Sequence, residues 1–134
     1  MEIQILVFLM IIKKLKEGKR SSLELPENFD YSLVDGKLLK QGLDIGDALS
    51  KEIILDSARY VGIGIYNIFQ ALNPQLIVLG GGLLSWGEFY VDHIRKTFYD
   101  LARDMIFDPV EIKISDIGPD AGVIGAASLN LEIC

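Results

Sequence analysis

Apolar residues recur at steps of three and four through Ile54, Ala58, Val61, Ile65, Ile68, Phe69 and Leu72, the period of one helix face. This spacing predicts a long helix over about 47–71, with Asp47 as a candidate N-cap. Gly62 and Gly64 lie inside it. Each costs on the order of 1 kcal/mol relative to alanine in a helix interior, so close approach of another helix or backbone is expected at both. Asn73 and Pro74 end the helix, because proline disfavours helical geometry in the residue before it. The run 76–79 (LIVL), bounded by turn signals, predicts a buried strand in a parallel sheet, and Gly80, Gly81 and Gly82 end it at once. Helical spacing resumes over about 86–105 through Tyr90, Ile94, Thr97, Leu101 and Met105. Residues 110–116 (VEIKISD) alternate apolar and polar, the pattern of a strand with one exposed face. A last helix is predicted over about 119–131, opened by Pro119 near its first position. Its small residues (Ala121, Gly122, Gly125, Ala126 and Ala127) would let it lie close to a neighbour.

Before this core, residues 1–20 read as a helix that is apolar over 1–12 and basic over 13–20, with Gly18 able to end it. The basic stretch suits a solvated helix end. Residues 21–46 read as a loop punctuated by Pro26 and Asn28, a short helix over 36–43, and the start of a polar break at 44–47. A largely apolar run of about twelve residues is too short to span a bilayer, which takes about twenty. Glu2 precedes the run and Lys13, Lys14 and Lys16 follow it, the reverse of a secretory signal, so a buried or interface segment is expected. The whole, 1–134, reads as one α/β unit with an α-β-α-β-α core over 47–134 and helices packed on an incomplete sheet. Stable sheets usually carry about four to six strands, so two predicted strands point to part of a domain.

Composition narrows the function classes. Half of the 134 residues are apolar, enough for one compact core. Thirteen Lys and Arg against nineteen Asp and Glu leave a net charge of -6, which argues against the diffuse positive field of direct nucleic-acid contact. One cysteine, Cys134, and one histidine, His93, provide neither an internal disulfide nor a structural zinc site, and a reducing cytoplasm fits both.

The candidate chemistry centres on Gly80, Gly81 and Gly82. Three glycines after a strand place bare backbone at the carboxyl end of a sheet, where open α/β folds bind ligands and a planar ring or ribose can touch the main chain directly. The stretch is not a phosphate-cradling Gly-Lys-Ser/Thr loop and lacks the spacing of a dinucleotide fingerprint. A tight turn with no ligand is an equally good reading of the glycines alone. Asp116 after a strand, Asp120 at a helix start and His93 within an amphipathic helix read as structural or surface residues. Trp86 and Tyr90 read as core or interface residues that could also flank a ligand above the glycines.

Three stretches carry a more specific resemblance. NPQLIVLGGGL (73–83), RYVGIGIYNIF (59–69) and DIGPDAGVIGAASL (116–129) occur in the order, and with the glycines, of the ROK family of sugar kinases and sugar-responsive repressors. Weaker similarity extends over roughly residues 11–132. The resemblance implies an actin-like ATPase or ribonuclease H-like sugar-kinase fold, with ATP between two lobes and Gly80, Gly81 and Gly82 bordering it. The family's Asp-x-Gly-x-Thr phosphate loop, its aspartate after a Gly-Asn pair and its zinc motif of one histidine and three cysteines are not found in this sequence. The expectation is therefore a truncated C-terminal, nucleotide-facing lobe with no catalytic residue and no zinc of its own. It is expected to be inert alone, and to pair with itself or with a complementary N-terminal lobe. The effector and dimerisation lobe of a repressor stays open as the alternative.

Overall fold

In a computed structural model of the chain, residues 2–23, 36–104, 110–118 and 121–128 are described. They form, in chain order, α1 (Glu2–Lys16), α2 (Gly36–Asp44), α3 (Ala48–Leu72), β1 (Leu76–Leu79), a 3-10 turn (Gly82–Trp86), α4 (Glu88–Ala102), β2 (Glu111–Ile114) and α5 (Ala121–Ser128). Among the described residues, no helix is long and apolar enough to cross a membrane.

Asp47 starts α3 as the sequence predicts, and it does more than cap. Its carboxylate accepts from the Ser50 amide and hydroxyl, each at 2.7 Å, from the Ser22 amide at 2.6 Å and from the Ser21 hydroxyl at 3.2 Å. One side chain thus ends the segment after α1 and begins α3. Burial pushes the Asp47 carboxyl up, but the hydrogen bonds from Ser22, Ser50 and Ser21 outweigh it and hold the group below the usual carboxylate range. At the other end Asn73 adopts left-handed backbone (φ 44°, ψ 54°) and its amide donates to the Phe69 carbonyl at 2.8 Å.

Helix α4 lies against α3 where side chains are smallest. A Cβ on Gly62 would sit 2.7 Å from the Thr97 Cβ and 3.0 Å from the Ile94 carbonyl oxygen, so the expected close approach is real there. At Gly64 nothing lies within 4 Å, and nothing in the structure explains that glycine. The core between the two helices holds Ile54, Ala58, Ile65 and Phe69 with Val91, Ile94, Phe98 and Ala102, and Phe69 meets Phe98 edge to face at 5.5 Å. Helix α1 joins α3 through Lys14, which reaches Glu52 and Asp56, both at 2.7 Å. Burial opposes the Lys14 charge, yet the two carboxylates raise its pKa. Ile11 is buried, in line with a packed segment, while Leu9 is exposed.

The strands pair in parallel, with Leu76 opposite Glu111 and Leu79 opposite Ile114. Ile77, Leu79, Ile112 and Ile114 face the helices. Helix α4 holds the sheet through Arg95, which donates to the Ile112 carbonyl, and through the Tyr99 hydroxyl, which donates to the Val110 carbonyl at 2.5 Å. The outer face corrects one expectation: Leu76 is 48 % and Val78 57 % exposed, so β1 is buried on one side only. An all-apolar strand suits burial on both faces, but among the described residues helices cover a single face. In α5, which its small residues were expected to bring close to a neighbour, Ile124, Ala126, Ala127 and Ser128 are exposed. Pro119, Asp120 and Met105 lie outside the described residues, as does the segment 24–35.

Candidate functional site

The turn after β1 is built from both ends. Its last ladder bond, from the Ser115 amide to the Leu79 carbonyl at 2.7 Å, fixes where the strand stops. Gly81 then adopts φ 108°, ψ 170°, a conformation essentially confined to glycine. Gly82 opens the 3-10 turn, and its far end is anchored by Trp86. That indole is 1 % exposed, donates Nε1–H to the Gly36 carbonyl at 2.7 Å and meets Tyr90 edge to face at 5.0 Å.

Between this turn and the two long helices lies a depression of about 190 Å³, lined by Val61, Leu79, Gly80, Gly81, Gly82, Leu84, Tyr90 and Ile94. A Cβ at Gly81 or Gly82 would meet nothing within 4 Å, and one at Gly80 only the Ser115 Cβ at 3.9 Å. Packing within the described residues therefore does not require glycine at 80 or 82, while the backbone conformation requires it at 81. What the three share is open space above bare main chain. The Tyr90 hydroxyl, the lone polar side-chain group in the lining, shares a hydrogen bond of 3.3 Å with Ser57. Burial pushes its phenol up, against that opposing hydrogen bond. The lining holds no carboxylate, histidine or lysine. Such a surface offers bare backbone and aliphatic groups, and it has no group to act as base or nucleophile.

The structure thus brings Gly80, Gly81 and Gly82 together with Tyr90 and separates them from the other candidates. Trp86 is a core anchor. His93 lines a different groove between α3 and α4, and Asp116 is exposed just beyond β2. Among the described residues, no three His, Cys, Asp or Glu side chains converge as a metal site. Sequence reasoning missed Val61, Leu84 and Ile94 as lining residues. Val61 and Ile94 were legible only as members of helix faces, and it is the contact at Gly62 that brings those faces together. It missed the 3-10 turn as well, for which the flanking Gly81 and Gly87 were the available signal.

Comparison with known proteins identifies the family and the fold. The ROK family model matches residues 30–133. A glucokinase of Halalkalibacterium halodurans is 34% identical over 114 residues, 84% of this chain and 34% of that protein. A xylose repressor of Caldicellulosiruptor bescii is 25% identical over 122 residues, 90% of this chain and 30% of the repressor. The crystal structure of a ROK family glucokinase from Streptomyces griseus, in complex with glucose and AMPPNP, superposes with a TM-score of 0.64 and 26% identity over 76% of this chain and 33% of that one. The α/β fold is that of ROK sugar kinases, and the chain spans about a third of the length of the relatives it matches.

Proposed function

The chain belongs to the ROK family, and on that premise we propose that it is the C-terminal, nucleotide-facing lobe of a sugar kinase, with Gly80, Gly81 and Gly82 as the wall beneath the adenosine of ATP. The observation that carries this reading is the open, side-chain-free floor of the depression at the carboxyl end of β1. The likeness to glucokinases, one of them crystallised with AMPPNP, supports it.

When bound, ATP supplies the phosphoryl group for transfer to a sugar hydroxyl. The chain's own part is positional. Gly81 fixes the path of the backbone, Val61, Leu79 and Ile94 keep water from one face of the base, and Trp86 holds the turn in place. Phosphoryl transfer also needs a residue that orients the attacking hydroxyl and groups that neutralise charge, and the depression contains neither. The 134-residue chain alone is therefore expected to bind ATP in a calorimeter yet show no glucose-dependent ATP turnover in a coupled assay. Turnover by the pure chain would contradict the lobe assignment, and absence of heat with ATP would remove the nucleotide role.

Similarity to a xylose repressor over 90% of the chain favours a second reading, the effector and dimerisation lobe of a sugar-responsive regulator. The DNA sequence immediately upstream separates the two. A Gly-Asn-Asp catalytic segment without a helix-turn-helix supports the kinase, and the reverse supports the regulator. Both readings include a partner, a second copy or a complementary N-terminal lobe, over the apolar side chains of Leu76 and Val78 that β1 leaves open. Light scattering across a concentration series is expected to show mass rising above that of one chain, and a constant monomeric mass would count against this surface.

A further inference from the structure

A second site lies where α3 and α4 cross. The contact of Gly62 with Thr97 draws the helices together, and beside it is a groove of about 300 Å³, at the lower end of the range for small-molecule pockets. It shares no lining residue with the depression at the glycine turn. Its charged lining is Arg59 from α3 with His93, Lys96 and Asp100 from α4, and its apolar lining is Ile63 and Leu101.

The pairing of those charges is uneven. Lys14, Lys19, Lys40, Arg95, Arg103 and Lys113 all form ion pairs. The side chains of Arg59 and Lys96, like those of Lys13, Lys16, Arg20 and Lys51, make no hydrogen bond or ion pair with another described residue, and these two are the ones that line a concavity together. Asp100, which could neutralise them, instead accepts from Arg103 at 3.2 Å. The Thr97 hydroxyl is also committed, donating to the His93 carbonyl at 2.9 Å. A chain with net charge -6 and nineteen acidic residues thus leaves two cations and its single histidine around one concavity. Like charges gathered in a cleft repel each other and raise the local concentration of anions.

We propose that this groove binds a phosphate monoester, with the Arg59 guanidinium taking two phosphate oxygens and Lys96 a third. Arginine's planar fork matches phosphate geometry, a lysine ammonium adds a point charge, and the dianion offsets the repulsion between them. Ile63 and Leu101 give a carbon skeleton apolar surface to rest on. This site is independent of the nucleotide reading, since neither its residues nor its ligand class depends on the glycine turn.

The test uses the whole chain and the ring-proton resonance of His93, which is unique because there is one histidine. The probes are glucose 6-phosphate and inorganic phosphate, each against potassium chloride at equal ionic strength. A saturable shift at millimolar probe is expected, and it should weaken by about a hundredfold when Arg59→Gln and Lys96→Gln remove two charge-assisted contacts. Both positions are exposed, so an unchanged thermal midpoint separates lost binding from lost folding. Tighter binding of glucose 6-phosphate identifies the ligand as a phosphorylated sugar, and equal binding identifies it as phosphate itself. No saturable shift with either probe, the same shift with chloride, or an undiminished shift in the double variant would overturn the proposal.

Discussion

Replacing Asp47 with alanine is expected to lower stability by about 3 kcal/mol, read as a drop in the urea midpoint at unchanged slope. Loss of an N-cap alone typically costs about 1 kcal/mol. This carboxylate also serves Ser21 and Ser22, 25 residues or more away in sequence, and it is 2 % exposed. Removing it strands a buried amide and hydroxyl at Ser50, each of which costs on the order of 1 kcal/mol or more when left without a partner. Asp47→Asn keeps an acceptor oxygen and loses the charge, so its cost should be roughly half as large. The pH dependence has a definite sign. Because the folded state holds this carboxyl below its value of about 3.9 in an unfolded chain, the unfolded state binds more protons as pH falls. Its contribution is complete above about pH 4 to 5 and is lost progressively as pH drops through the lower, folded value. A cost for Asp47→Ala within the usual surface range of about 0.5 kcal/mol would show that the four hydrogen bonds do not couple the segment after α1 to α3.

Gly82→Val should do the opposite, leaving stability within about 0.5 kcal/mol while weakening nucleotide binding by about tenfold or more. The first part follows from the open space around the Cβ position and from the ordinary backbone of this residue, which is not among the glycines with positive φ. The second follows because that open space is the floor of the depression, so an isopropyl group there occupies the volume proposed for the nucleoside. Gly81→Val is the informative contrast. Its φ of 108° forces strain on any side chain, so both stability and binding should fall. Equal nucleotide affinity for wild type and Gly82→Val would dissociate the glycine floor from the ligand.

Much of this architecture was legible in the sequence because its signals were local. Period-three-and-four spacing located α3, Asp47 and Asn73-Pro74 marked its ends, and alternation in EIKI gave the half-exposed β2. The same patterns could not show which faces find partners. LIVL reads as doubly buried, yet Leu76 and Val78 are open, since burial depends on elements distant in the chain. Gly62 and Gly64 look alike in the sequence and differ in the fold, because a rotation of about 200° around the helix turns one toward Thr97 and the other toward open space. The site divides in the same way. Gly80, Gly81 and Gly82 stood out as a run, whereas Val61 and Ile94 entered the lining only through the crossing of α3 and α4. The unpaired cations of the second groove were invisible for the same reason. Arg59 and Lys96 are separated by more than thirty residues and meet through tertiary contact alone.

The most direct test of the central claim is a titration of the isotopically labelled chain with ATP, followed through the backbone amide resonances. The nucleotide-facing lobe predicts saturable shifts concentrated at Gly80, Gly81 and Gly82, extending to Val61 and Ile94 on the facing helices. Amide resonances at the glycine turn that stay fixed at millimolar ATP would contradict it and leave the turn with a structural role alone.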